Sequence, residues 1–251
     1  MKNRTAWYLV ALSSVMLFSQ SMAQAQQPNT PLQILTKVDD VVNAPKDQDY
    51  KVKLVLIDSK GSEKEREMAM LQKGSDKRVV KFISPADQKG IAFLSLPNDM
   101  MYLYLPAFKK NRRIAAHVKN TNFAGTDFTY EDMEAKRYTD KWEPELVKSD
   151  KDEYVLQLNP KAAGLSDYSK LVMSVRTDNF YPTRIEHYDK SGKLCKIMTR
   201  DNIKQISGYW VCLGTQMEDL KAKHKTRMVM TDMKLDSGIP EDKFTERFLT
   251  R

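Results

Sequence analysis

The sequence predicts a mainly β protein, with some covering helix, built on one large antiparallel sheet. Three observations predict it. From Tyr50 to about residue 235, apolar residues recur with a period of two, the signature of half-buried strands. The runs are separated by short turn-forming stretches such as Asp58-Ser59-Lys60-Gly61, Lys73-Gly74-Ser75-Asp76 and Pro97-Asn98-Asp99. A clear helical period occurs only near the start of the chain. With 251 residues, 41% of them hydrophobic, a sizeable core can be buried, and 9 Gly and 10 Pro are too few for a fibrous or low-complexity chain.

Residues 1–25 have the anatomy of a secretory signal peptide. Lys2 and Arg4 form the positive end, and Ala6 to Phe18 are apolar except for Ser13 and Ser14. Ala23-Gln24-Ala25 is the A-x-A cleavage site, with Ser21-Met22-Ala23 as the near alternative. The apolar run is short for a membrane span, and no Cys stands near the cleavage site to take a lipid anchor. The expectation is an exported protein, residues 26–251 forming one domain in the periplasm.

Thr30-Pro31-Leu32-Gln33 opens a helix: Thr30 caps, Gln33 completes a capping box, and Pro31 loses no needed N–H. Leu32, Leu35, Val38 and Val42 then recur at helical spacing until Asn43-Ala44-Pro45 ends the run. Strands are expected at 50–57, 63–71, 78–83, 91–96, 100–105 and 112–116, and after a less regular stretch at 154–159, 171–177, 183–189, 193–206, 209–219 and 224–235. That is a meander of eleven or twelve strands, with no internal repeat and no linker.

The hairpin at 91–105 is apolar on both faces. With Pro97 opposite Met100, one face collects Ala92, Leu94, Leu96, Met101, Leu103 and Leu105, and the other Ile91, Phe93, Ser95, Tyr102 and Tyr104. An antiparallel sheet usually has one wet face, so each side here needs a cover. A sandwich core with a helix outside would satisfy this, and so would a sheet curled around an apolar cavity. Farther along, Thr129 and Asp132 form a cap-like pair that predicts a short helix at about 130–138, packed on the sheet or plugging one opening of it. Asp127, Glu131 and Asp132 are read as capping acids rather than catalytic ones.

Cys195 and Cys212 fall on two strand-like runs joined around Ser207-Gly208. If Ile206 faces Tyr209, Cys212 faces Ile203, and Cys195 lies eight residues away, about 26 Å at strand rise. Two free thiols are therefore expected rather than a disulfide.

Composition and motifs remove several function classes. The formal net charge is +8, but the excess is spread along the chain without the aromatic-studded basic runs of a nucleic-acid binder. His117, His187 and His224 lack ligand spacing, so neither a metal nor another cofactor is expected. No G-x-S-x-G, H-E-x-x-H or phosphate-loop motif occurs, and no catalytic residue is assigned.

The runs Tyr102-Leu103-Tyr104-Leu105-Pro106, Arg112-Arg113-Ile114 and Phe123-Ala124-Gly125-Thr126-Asp127-Phe128-Thr129-Tyr130-Glu131-Asp132 resemble the outer-membrane lipoprotein-sorting proteins. That group is related in fold to the periplasmic carrier LolA and the receptor LolB. The ending from Gly238-Ile239-Pro240 to Phe248-Leu249 also looks like theirs. Many relatives carry Trp where Tyr102 stands, which keeps an aromatic in place. The resemblance implies an unclosed antiparallel β-barrel of about eleven strands, with helices over its mouth and an apolar interior. It also implies binding of lipid or lipoprotein acyl chains and association with an inner-membrane exporter of the RND type or an outer-membrane acceptor.

On this basis Leu94, Leu96, Met101, Leu103 and Leu105 are the candidate lipid contacts. Phe123, Gly125, Thr126, Asp127, Phe128, Tyr130 and Met133 are the candidate lid motif, with the 30–43 helix as the second lid element. Lys109, Lys110, Arg112 and Arg113 are either a docking patch for headgroups or a partner, or a solvated loop. The expected function is a monomeric, non-enzymatic periplasmic carrier. The alternative is a periplasmic adaptor docking on an RND-type exporter without carrying lipid.

Overall fold

A computed structural model describes residues 29–251, so the expected signal peptide lies outside the described residues. Helix α1 spans Pro31–Val42, and its start follows the sequence signal: the Thr30 hydroxyl accepts from Gln33 N at 3.2 Å, and the Gln33 side chain accepts from Thr30 N at 2.8 Å. Ile34, Leu35 and Val38 are its buried face. Leu32, placed on that face by the spacing argument, is 50% exposed.

The first meander consists of β1 (Asp47–Ile57), β2 (Glu63–Lys73), β3 (Lys77–Ser84), β4 (Ala92–Leu96), β5 (Met100–Leu105) and β6 (Lys110–Arg113). Helix α2 (Tyr138–Lys141) precedes a second meander: β7 (Trp142–Ser149), β8 (Glu153–Pro160), β9 (Lys170–Arg176), β10 (Pro182–Tyr188), β11 (Leu194–Ile206), β12 (Tyr209–Asp219) and β13 (His224–Leu235). Helix α3 (Glu246–Leu249) follows. All thirteen strands form one antiparallel sheet in the order β6-β5-β4-β3-β2-β1-β13-β12-β11-β10-β9-β8-β7. The sequence reading missed β7, whose Pro144 suits only an edge strand and whose residues beyond it are exposed.

β1 and β13 join the two meanders, leaving β6 and β7 as unpaired edges, so the sheet is an unclosed barrel. One face of both meanders contributes to a single apolar cluster, from Val52, Leu54, Met68, Phe82 and Phe93 to Leu156, Met173, Met217 and Met228. A single sheet can gather one face into one cluster only by curling.

Turn chemistry sets the registers. Ser207 (φ 51°) and Gly208 (φ 83°) make a two-residue turn with both φ values positive, the geometry that matches strand twist. Ile206 therefore faces Tyr209, Cys212 faces Ile203, and both cysteines are free thiols, as the sequence predicts.

The β4–β5 register differs from expectation. Leu96, not Pro97, stands opposite Met100, and Phe93 pairs with Leu103. Pro97 has no N–H to give to the ladder, so it is absorbed into the turn. The cross-strand sets are thereby exchanged. Phe93, Met101 and Leu103 face the main core, while Leu94, Leu96, Tyr102 and Tyr104 face outward. Leu94 and Leu96 are thus not interior contacts. The outer set packs beneath Ile239, Phe244, Phe248 and Leu249 of the C-terminal segment. Each apolar face of this hairpin is covered, as the sequence pattern requires.

The C-terminal segment is held by Asp47 at the start of β1. Its carboxylate accepts from Ser237 N (2.8 Å), Ser237 Oγ (3.0 Å), Gly238 N (2.9 Å) and Ile239 N (3.1 Å). Burial works to raise its pKa, but these four bonds together outweigh it and hold the carboxyl below its ordinary value. Its stabilising effect is therefore complete above the ordinary aspartate pKa near 4 and fades as pH falls through the lower folded value. Asp47→Ala is expected to cost about 2 kcal/mol at pH 7 in urea denaturation. The gap from wild type should shrink below about pH 4, and a gap independent of pH would refute this role.

Candidate functional site

The connection from β6 to β7 must travel between opposite edges of the sheet, and it does so across the hollow face. Its central loop is built for that passage. Asn122 bridges Thr129, Phe123 N donates to Phe128 O at 2.7 Å, and the Thr126 hydroxyl donates to Phe123 O at 2.7 Å. Ala124 (φ 48°) and Gly125 (φ 72°) are both left-handed at the tip, where Gly relieves the strain. Phe123 is wholly buried among Phe82, Phe93 and Tyr130, with ring centroids 5.6–5.7 Å from its own. These rings fill the half of the hollow bordered by β3 and β4.

The loop is pinned on three sides. Arg66 of β2 donates to Ala124 O. Lys196 of β11 donates to Asp127 O at 2.6 Å and to Asn122 Oδ1 at 3.3 Å. The buried Asp127 carboxylate meets the Thr226 hydroxyl at 2.6 Å and His224 Nδ1 at 2.7 Å, both from β13. Asp127 is thus a fastening, and the capping role assigned from sequence is corrected.

The expected helix at 130–138 is absent. Thr129 and Asp132 do form the reciprocal cap pair, at 2.7 and 3.1 Å, but only one turn follows. The carbonyls of Met133 and Glu134, which a continuing helix would use, accept instead from Arg78 at 3.0 and 3.5 Å. Tyr138 N, which such a helix would also use, donates to Asp39 of α1 at 2.7 Å. Asp39 further accepts from Thr139 N (2.9 Å) and Thr139 Oγ1 (2.7 Å), and Arg137 pairs with Asp40 at 2.8 Å. Burial nonetheless pushes the Asp39 carboxyl above its usual range. This clasp ties α1 to the crossing segment over the remaining half of the hollow.

Beneath the clasp lie two adjoining bays. The first has about 870 Å³ of empty space, open mouth included, between the end of α1 and strands β1, β2 and β11–β13. Met70, Met133, Met198, Met228, Met230 and Met233 line it, with Tyr50, Tyr181 and Trp210. Thioether walls adapt to irregular apolar cargo. The second bay, about 810 Å³ with its open mouth included, runs under α2 and carries Glu131, Asp132, Glu134, Lys141 and His187 in its wall. Val42, Arg78, Asp132, Met198 and Arg200 border both.

The polar wall is a fastening network. Glu131 accepts from Lys141 and Ser166 and from Asp167 N at 3.3 Å. Asp132 accepts from Tyr168 OH at 3.2 Å and lies 3.9 Å from His187 Nε2. Burial lowers the His187 pKa and favours a neutral ring. Ser166 spends its hydroxyl proton on a carboxylate already paired with Lys141, which leaves no base to activate it.

A family model described as an uncharacterized protein matches residues 74–251. A domain from Vibrio parahaemolyticus, provisionally named as an outer membrane lipoprotein-sorting protein, aligns with a TM-score of 0.82 and 27% identity, covering 88% of this chain and 98% of its own. A LolA superfamily protein from Nitrosomonas europaea aligns with a TM-score of 0.74 and 25% identity over 88% and 100%. The chain belongs to the family of that model, and its structural neighbours are outer-membrane lipoprotein-sorting and LolA-superfamily proteins. A family protein of the DUF1329 type from Desulfovibrio piger shares the fold, with a TM-score of 0.81 and 24% identity over 88% and 100%. No curated protein sequence matches the chain.

Within this LolA-like frame, the sequence-derived residues divide unevenly. Phe128 and Met133 reach the methionine bay. Phe123, Tyr130, Met101 and Leu103 sit in the aromatic-filled half, with Leu105 on the same face by alternation. Gly125, Thr126 and Asp127 shape and pin the loop. Lys109, Lys110, Arg112 and Arg113 are surface residues at and beside the β6 edge, where Arg112 lies 5.1 Å from the Phe108 ring. Methionine-rich walls were expected, but which methionines form them was not, and both arginines were missed, although alternation places Arg200 on the face of Met198 and Arg78 on that of Val80 and Phe82.

Removing the clasp tests its role as a closure. Asp39→Ala should cost about 2 kcal/mol and speed amide exchange in residues 31–42 and 137–141. Exchange unchanged in those two segments would show that the carboxylate does not hold them.

Proposed function

We propose that this LolA-like protein is a periplasmic carrier that binds the acyl chains of a lipid or lipoprotein and passes them between membrane components. The observation that supports this is the methionine-lined bay beneath the α1 clasp. Each buried methylene contributes ~0.8 kcal/mol, so a sixteen-carbon chain would gain roughly 13 kcal/mol before ordering costs. A carrier must also let go. A methionine-walled bay closed by hydrogen-bonded elements suits this, because opening the clasp lowers affinity without dismantling the sheet.

The reading includes no catalytic step, since the acids near the bay are engaged in fastening. Among the described residues, no helix is long and apolar enough to cross a membrane. Lys109, Lys110, Arg112 and Arg113 on the open edge are the proposed contact for an anionic membrane surface or acceptor, with the protein acting as a monomer.

Native mass spectrometry of protein purified from the periplasm, with lipid analysis of its organic extract, tests the carrier. A stoichiometric acylated or isoprenoid ligand is the expected result. Apo protein that also fails to bind a fluorescent fatty-acyl probe would overturn it. Met230→Trp and Met233→Trp, at half-buried positions in the wall, should each weaken probe binding roughly tenfold while the fold is retained. Unaltered affinity in both would place the chains elsewhere.

A further inference from the structure

Arg78 and Arg200 stand on the boundary between the two bays, one from each meander, and neither has a counter-ion. Arg78 donates to Gln72 Oε1 at 2.6 and 3.1 Å and to the Met133 and Glu134 carbonyls, all formally neutral acceptors. Arg200 makes a single bond, 3.4 Å to the Tyr138 hydroxyl. Among the described residues, its Nη1 is buried without a hydrogen-bond partner. Among the described residues no carboxylate comes within 4.0 Å of either guanidinium, although every other cation of the polar bay has one: Lys141 on Glu131, Lys136 on Asp99, Arg137 on Asp40. Asp132 and Glu134 border the same space beyond that distance, so neither pairs directly with a guanidinium.

Buried charge without a partner is costly, and buried polar atoms without hydrogen bonds are rare. Guanidinium groups, with their planar fork of donors, are suited to the oxygens of a carboxylate or phosphate. The placement adds the second half of the argument, because the methionine wall begins at the same boundary, with Met198 two residues from Arg200 on one strand face.

We infer that Arg78 and Arg200 form an oxyanion subsite that takes the carboxylate or phosphate of an acidic amphiphile while its chain lies along the methionine bay. The inference rests on the carrier reading and narrows its cargo to the anionic class. Arg200 supplies the free donors, and Arg78 adds charge from the facing meander.

The test compares palmitoyl lysophosphatidate, palmitate, neutral monopalmitoylglycerol and inorganic phosphate on the protein stripped of co-purified lipid. Wild type should bind the two acidic amphiphiles roughly tenfold or more tightly than the neutral one, with a preference that weakens as salt rises. Arg200→Gln should erase the preference, leave the neutral probe within about twofold, and leave the melting temperature equal or higher, because a half-buried charge without a counter-ion is gone. A merely structural arginine would instead lower the melting temperature and all affinities together.

Equal binding of acidic and neutral amphiphiles by wild type overturns the inference and leaves the carrier intact, whatever becomes of the variant. Failure of all four probes overturns both. Tight binding of inorganic phosphate that depends on Arg200, with no gain from an attached chain, supports the subsite and assigns it to a free anion instead of a headgroup.

Discussion

The structure depends on one topological constraint: the chain must get from one edge of an open sheet to the other. Because β1 pairs with β13, each meander runs outward from the seam, and β6 ends as far from β7 as the sheet allows. The segment between them cannot add a strand, since no partner lies along its route. It has to cross the concave face, and in crossing it carries backbone polar groups through an apolar region, where each needs a partner. Arg66, Lys196, Thr226, Arg78 and Asp39 meet that need, one element at a time. The charged side chains on inward strand positions are therefore consequences of the crossing.

The same crossing divides the hollow. Where Phe123 descends, four aromatic rings pack against one another and the space is filled. Beyond Met133 the segment rises toward α1, and the walls beneath are methionines that leave room. One side is rigid and specifies the fold, and the other is adaptable. These two properties occupy separate halves of one sheet face.

Much of the architecture was legible in the sequence because strand period, turn residues and capping signals are local. The α1 capping box and the 206–209 turn show this, the turn fixing the cysteine positions without any tertiary information. One misreading came where a distant group decided the outcome, another where a local proline did. Residues 129–132 carry a good helix start, yet Arg78 and Asp39, far away in sequence, take the bonds that would extend it. The β4–β5 register turned on one proline N–H that does not exist, and the error moved Leu94 and Leu96 to the outer face. The bay was harder to see, because a cavity is defined by what fails to fill it. Its trace was nevertheless present, as arginines in phase with Val80 and Met198 on strand faces that otherwise point inward.

That trace also links the closure to the interior. Arg78 holds the Met133 and Glu134 carbonyls, and Arg200 holds the Tyr138 hydroxyl, so both arginines touch the cavity and the segment that covers it. With no counter-ion, burial pulls the Arg78 pKa down, which records the cost of keeping its charge in place. A bound anion would relieve that cost and compete for the same donors, so occupancy of the bay and the grip on its cover are drawn from one set of hydrogen bonds. Two sites that share donors are coupled by necessity, and the coupling runs equally in both directions. If the bay takes an anion as proposed, a cover held partly by its arginines responds to what the cavity contains, with no separate signalling element required.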